Sequence, residues 1–177
     1  MNYLVIAAAT ILALAGFVTK SEARTKPVPA TNAGHFAKEL KGSGMFEIQS
    51  STLALQKSNN DAVKKFAQKM IDDHKAADGK LTQTLKQANL PEPKEGIDEQ
   101  QQALLNKLVS AEGATFDRRY IQDQIQAHRQ AVELLETYEK RGDNNALKQL
   151  ASSLLPTIKE HLSMAEGLRG GPATARR

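Results

Sequence analysis

Three histidines and one glutamate interrupt helical stripes that are otherwise apolar. His74 falls in the series Val63, Ala67, Met70, His74, Ala77, Leu81, Leu85, and His128 in Ile121, Ile125, His128, Val132, Leu135. His161 falls in Leu147, Leu150, Leu154, Ile158, His161, Ala165, Leu168, and Glu47 in Phe36, Leu40, Ser43 or Gly44, Glu47, Ser51, Ala54. Spacings of three and four lay each series along one face of a helix, the face that packs inward. An ionisable group on such a face has to be paired, hydrogen-bonded or metal-bound, because an isolated buried charge costs more than a fold can spare. Three imidazoles and a carboxylate from four helices suit a mononuclear Zn, Fe, Mn or Cu site. The competing reading is a hydrogen-bonded Glu–His layer that only sets helix register, with Asp73, Asp78, Thr157 or Glu160 as further partners.

Other chemistries are excluded by what is missing. The chain has no Cys, so thiolate zinc sites, iron–sulfur clusters, Cys nucleophiles and disulfides are ruled out. The ferritin-type dinuclear site needs Glu-x-x-His on two helices, whereas the residues three before the histidines are Ile71, Ile125 and Ile158. No phosphate-cradling loop or nucleophile elbow occurs, and Gly42-Ser43-Gly44 reads as close packing within a helix. No catalytic residue is assigned, so binding is expected rather than turnover, with a metal-dependent oxidase or peroxidase as a third reading. Met45, Met70 and Met164 lie within about a turn of the polar layer and would favour copper, although Met is also a routine core filler. Tyr120 and Tyr138 are either redox-active neighbours or packed rings with hydrogen-bonded tips. Asp72-Asp73 and Lys64-Lys65 read as solvated faces, and His35 as an exposed residue outside the layer.

The elements that position these residues are four long helices and one short one. The first runs about Ala33 to Lys57 and stops at Ser58-Asn59-Asn60, where Asn60 can cap the second, about Asp61 to Ala88. Asn89, Pro91 and Pro93 end the second. A short helix near Asp98 to Val109 precedes the third long helix, about Ala114 to Arg141, and Gly142-Asp143-Asn144 turns the chain into the fourth, about Asn145 to Leu168. Pro156 falls inside the fourth and should kink it. The turns on either side are short enough to demand antiparallel hairpins, but about 25 residues separate the second and third long helices. The second helix is roughly 42 Å long, a length that this connection can span. The expected fold is therefore all-α: a ferritin-like four-helix bundle with one long crossover between the second and third long helices, the crossover containing the short helix. A simple up-down bundle with a decorated loop is the alternative. Asn60 to Ala67 resembles Asn144 to Ala151, a weak internal repeat that shared capping alone can explain. Within each hairpin the polar groups are offset by about three residues, roughly 4.5 Å, so Glu47, His74, His128 and His161 can meet in one layer.

The 177 residues carry a net charge of +4 with a pI near 9.3, yet acids and bases nearly balance between Pro27 and Leu168. Arg24, Lys26, Arg169, Arg176 and Arg177 supply the excess, and no basic stripe of the kind that phosphates require is present, so nucleic acid is not an expected partner. Tyr3 to Val18 is uncharged and rich in Ala, Leu and Ile, and Ser21-Glu22-Ala23 fits a small-x-small cleavage pattern. Residues 1–23 thus read as a signal peptide or an N-terminal anchor, 24–32 as a linker, 33–168 as the bundle and 169–177 as a flexible basic tail. Export to the periplasm or cell envelope follows, with membrane association possible only through the N-terminal segment.

These residues together resemble a bacterial family, domain of unknown function 4142 (DUF4142). The likeness is carried by Gly44-Met45-Phe46-Glu47, by Phe66 to His74, by Phe116 to Tyr120 with His128, and by Leu155 to Ala165. It implies a ferritin-like bundle of the cell envelope and no established activity.

Overall fold

The structure, a computed structural model, describes residues 31–169. Among the described residues there are five α-helices and no strand: α1 (Ala33–Lys57), α2 (Asp61–Gln87), α3 (Glu99–Val109), α4 (Gly113–Arg141) and α5 (Asn145–Arg169). Their starts follow local side-chain chemistry. Asn32 accepts from the His35 amide, Asn60 from that of Ala62, and Asn144 from that of Leu147. Asp98 and Gln101 form a reciprocal capping box at α3. The shared Asn caps account for the repeat-like similarity of the two hairpin turns. At the α4–α5 turn Gly142 is obligatory for space, since a Cβ there would lie 2.5 Å from the Tyr138 ring.

The helices begin and end within a residue or two of the expected positions, with small corrections at the domain edges. Asn32 caps α1 and the Thr31 carbonyl accepts the Asp143 amide at 3.0 Å, so the last two residues assigned to the linker belong to the folded unit. Arg169 is helical rather than part of the tail. α5 continues through Pro156 without interruption. The expected signal or anchor segment at 1–23 and the tail beyond 169 lie outside the described residues. No helix among the described residues is long and apolar enough to cross a membrane.

α1 pairs with α2 and α4 with α5, and the two hairpins meet through α1 on α4 and α2 on α5. Phe36 stacks on Tyr138, Glu47 lies beside His128 and Ser51 bonds Tyr120, so α1 and α4 run in opposite directions. On the other flank Asp73 meets His161, while Leu81 and Leu154 line one cavity, so α2 and α5 are also antiparallel. α3, in the connection from α2 to α4, packs on α1 and α4. The connection also leans on α1, where a Cβ at Gly42 would sit 3.2 Å from the Gly96 carbonyl.

Two apolar clusters fill the bundle. One gathers Phe46, Phe66, Met70, Leu108, Phe116 and Tyr120; the other gathers Phe36, Leu81, Leu85, Leu135, Tyr138, Leu147 and Leu154. Burial of these side chains drives the association of helices. Between the clusters lie His74, His128, His161 and Glu47, all buried.

Candidate metal centre

The three histidines come from three helices and converge in the interior. Ring centroids are 5.7 Å apart for His74 and His128, 5.6 Å for His74 and His161, and 5.4 Å for His128 and His161. One ring nitrogen from each lies within 4.8 Å of the others. A tetrahedral ion with bonds of 2.0–2.1 Å spaces its ligand atoms about 3.4 Å apart, so modest side-chain rotation would bring the three onto one ion.

Neighbouring groups determine which nitrogens are free. The His161 Nε2–H donates to Asp73 Oδ2 at 2.7 Å, leaving Nδ1 bare. The His128 Nδ1–H donates to the Gln124 carbonyl at 2.9 Å, leaving Nε2 bare. His161 Nδ1, His128 Nε2 and His74 Nε2 are all buried without a hydrogen-bond partner in the protein. A ring whose other nitrogen is bonded to a carboxylate or carbonyl is held in one tautomer and orientation, the usual support of a metal-ligating imidazole.

Charge at the centre is set by burial. Desolvation pushes His74 down to about 3 and His128 down to about 4, and it lowers His161 against the opposing pull of Asp73. The rings are therefore neutral at pH 7, the form that binds metal. Burial would raise Asp73, but the bonds from His161 and Lys69 outweigh it and hold the carboxyl below its ordinary value. Lys69 reaches Asp73 at 3.0 Å and Glu160 at 3.6 Å, so a charged network leads from the ring to the surface.

Glu47 stands apart from the trio. Its Oε1 is 3.7 Å from His128 Nδ1, on the side of the ring that faces the Gln124 carbonyl, and it is not among the residues whose ligand atoms converge. Both of its oxygens are buried without partners, and desolvation, reinforced by Asp123 and partly opposed by Gln124, pushes it up to about 8.

Several expectations change on contact with the structure. Of the two readings given to Asp73, the solvated face and a partner of the polar layer, the second holds, since it bonds His161, whereas Asp72 is exposed and bonds Gln68. Met45 turns its sulfur to the Gly96 amide at 3.3 Å, and Met70 belongs to the apolar cluster with Phe66. Tyr120 bonds Ser51 at 2.9 Å and Tyr138 bonds Asp143 at 3.0 Å, in the manner of packed rings with satisfied tips. His35 is half-buried near Glu39. Sequence reasoning missed Gln124 and Asp123, buried about one turn before His128; the signal was the polar run Gln122-Asp123-Gln124 between Ile121 and Ile125.

The fold recurs in solved structures. CopM in its Cu(II)-bound form superposes with a TM-score of 0.66 at 19% identity, covering 78% of this chain and 96% of that one. A DUF305 fragment from Deinococcus radiodurans gives 0.69 at 16% identity, covering 81% and 97%. CopM also matches in Ag-bound and Cu(I)-bound forms, with TM-scores of 0.64 and 0.62. No curated protein matches the chain in sequence. The model of the family described as "Domain of unknown function (DUF4142)" matches residues 18–168, most of the chain, and this protein is accordingly a member of the DUF4142 family.

Proposed function

We propose that the protein is an exported, ferritin-like bundle that holds one transition-metal ion on His74, His128 and His161, in a metal-handling or envelope-stress role rather than a catalytic one. The observation that carries this reading is the set of three buried, unpartnered imidazole nitrogens gathered from three helices. Leaving three buried ring nitrogens without partners is costly, and one cation would satisfy them together. Copper is the first choice. Imidazoles suit it, divalent copper heads the affinity order for such donors, and the CopM structures of similar fold hold Cu and Ag. Asp73 supplies a compensating negative charge through His161, and Glu47 lies close enough to His128 to add a second on ionisation.

The ferritin-like connectivity draws support from the antiparallel pairing of α1 with α4 and of α2 with α5, which sets α2 and α4 in the same direction. Export rests on the apolar run and cleavage pattern near the N-terminus. A metal-free layer that only sets register is the second reading. It draws on the His161–Asp73 and His128–Gln124 bonds, but gives the three bare nitrogens no role.

Titration of the chelator-stripped protein with Cu(II) and with Zn(II), followed by calorimetry, tests the proposal. One ion per chain is expected, with binding lost in the His74→Ala/His161→Ala double variant. Weak binding that the double variant leaves unchanged would sink it.

A further inference from the structure

The histidine trio is closed off by packed helices, and two spaces that share a wall lie on one side of it. A groove of about 290 Å³ opens among α1, α3 and α4. Its lining carries three carboxylates, Glu39, Asp98 and Asp123, and no Lys or Arg. Asp123 is only 7% exposed, and its Oδ2 has no partner in the protein, so a bare acceptor is buried in the wall of this groove. Beside the groove a cavity of about 20 Å³ is bounded by Gly44, Ala77, Asp78, Leu154 and Ile158 and reaches His74. That volume is enough for about one water molecule, and hence for one small ion. Ser43 and Ala131 line both spaces and form the wall between them.

The wall between the two spaces is thin, because the residues common to both, Ser43 and Ala131, are small. Gly44 faces the His74 ring, and a Cβ there would lie 4.0 Å from Nδ1, in ordinary contact. On the opposite flank of the inner cavity the lining carboxylate, Asp78, is already paired with a cation. There Lys41, itself buried, bonds Asp78 at 3.2 Å, whereas the three carboxylates of the groove have no lysine or arginine beside them in its lining. Interiors at crystal-like density do not admit an ion without opening.

We propose that the metal ion reaches the trio through the groove among α1, α3 and α4, captured by Glu39, Asp98 and Asp123 and admitted past Ser43 and Ala131 to His74. This passage rests on the metal-binding reading above. It adds that the groove carboxylates govern the rate of loading, while the histidines and the Asp73 carboxylate behind His161 govern the affinity.

The test follows Cu(II) loading of the purified chain by stopped-flow quenching of tyrosine fluorescence. The phase to follow is the one missing from the His74→Ala/His161→Ala variant. Ser43→Leu fills the neck and should slow that phase by about tenfold or more, because passage then needs a local opening of helices. The affinity measured after long incubation should stay that of the parent chain. Glu39→Gln/Asp98→Asn should slow loading by about tenfold at low salt and flatten its dependence on ionic strength. Asn caps a helix as well as Asp does, so α3 survives this change, and the second variant decides the matter should S43L lose helical content. Loading at the parental rate in every folded variant, with affinity intact, would overturn the passage and leave the metal centre standing. Absence of one-to-one binding in the parent chain would remove both.

Discussion

Asp73 on α2 accepts the Nε2–H of His161 on α5 at 2.7 Å, and this one bond decides which nitrogen of His161 faces the other two rings. It also carries a negative charge to the edge of a site built otherwise from neutral imidazoles. Asp73→Asn should keep the fold but weaken metal binding about 10- to 100-fold, the usual cost of losing such a supporting carboxylate. Calorimetric titration of the variant checks this. Unchanged affinity would mean that His161 is oriented by packing alone.

Acid and base should act on the metal-free protein through different residues. Glu47 holds its proton up to about 8 in the fold against 4.5 as an ordinary carboxyl. Its contribution to stability is thus complete below about pH 4.5 and lost as pH rises through 8. His74 and His128, depressed to about 3 and about 4 from 6.5, work the other way. Their contribution is present above 6.5 and is lost as pH falls through the folded values. Melting temperature in chelator should therefore fall on both sides. Glu47→Gln should abolish the decline between about pH 6.5 and 8.5 and leave the acid side in place. An alkaline decline that persists in E47Q would assign it elsewhere.

The same depressed values bear on metal binding. His74 and His128 stay neutral to about pH 4 and burial holds His161 below its ordinary value, so the site does not lose the ion to protons at 6.5, as free imidazole would. Affinity at pH 5.5 should lie close to that at pH 7, and competition titrations at the two values test it. A steep fall between them would show that the rings protonate in the metal-free fold.

Gly142 is held to its type by space. A Cβ there would meet the Tyr138 ring at 2.5 Å and the Tyr138 carbonyl at 2.6 Å, with the ring itself stacked on Phe36 at 3.9 Å. Gly142→Ala should destabilise the domain by about 1–3 kcal/mol, read from urea unfolding. Asn60→Ala, which removes a cap and touches no core residue, should cost about 1 kcal/mol by the same measurement. A loss in G142A no larger than that in N60A would mean that the turn yields without disturbing the ring.

The helices were legible because their signals are local. Apolar residues at spacings of three and four define the faces, Asn60 and Asn144 mark the starts, and the length of the α2–α4 connection restricts how the hairpins can be joined. That His74, His128 and His161 lie on core faces follows from the same periodicity. Asp73 was harder to place because it sits one residue from His74, off the stripe, and reaches His161 only by crossing to another helix. Gln124 escaped because its role lies in its backbone carbonyl, which any residue would offer, and in an amide bonded to Ser50 at 3.1 Å.

By itself, then, the order of residues determined five helices, their inward faces and the presence of four ionisable groups on those faces. Only the tertiary structure decided that three rings converge while Glu47 stands behind one of them, that Asp73 rather than a solvent contact fixes His161, and that a groove lined by carboxylates shares Ser43 and Ala131 with the cavity at His74. Periodicity sets the direction in which a side chain leaves its own helix. Which groups meet, and which nitrogens are left bare, depends on the relative rotation and height of neighbouring helices, and those are settled by packing across the whole bundle.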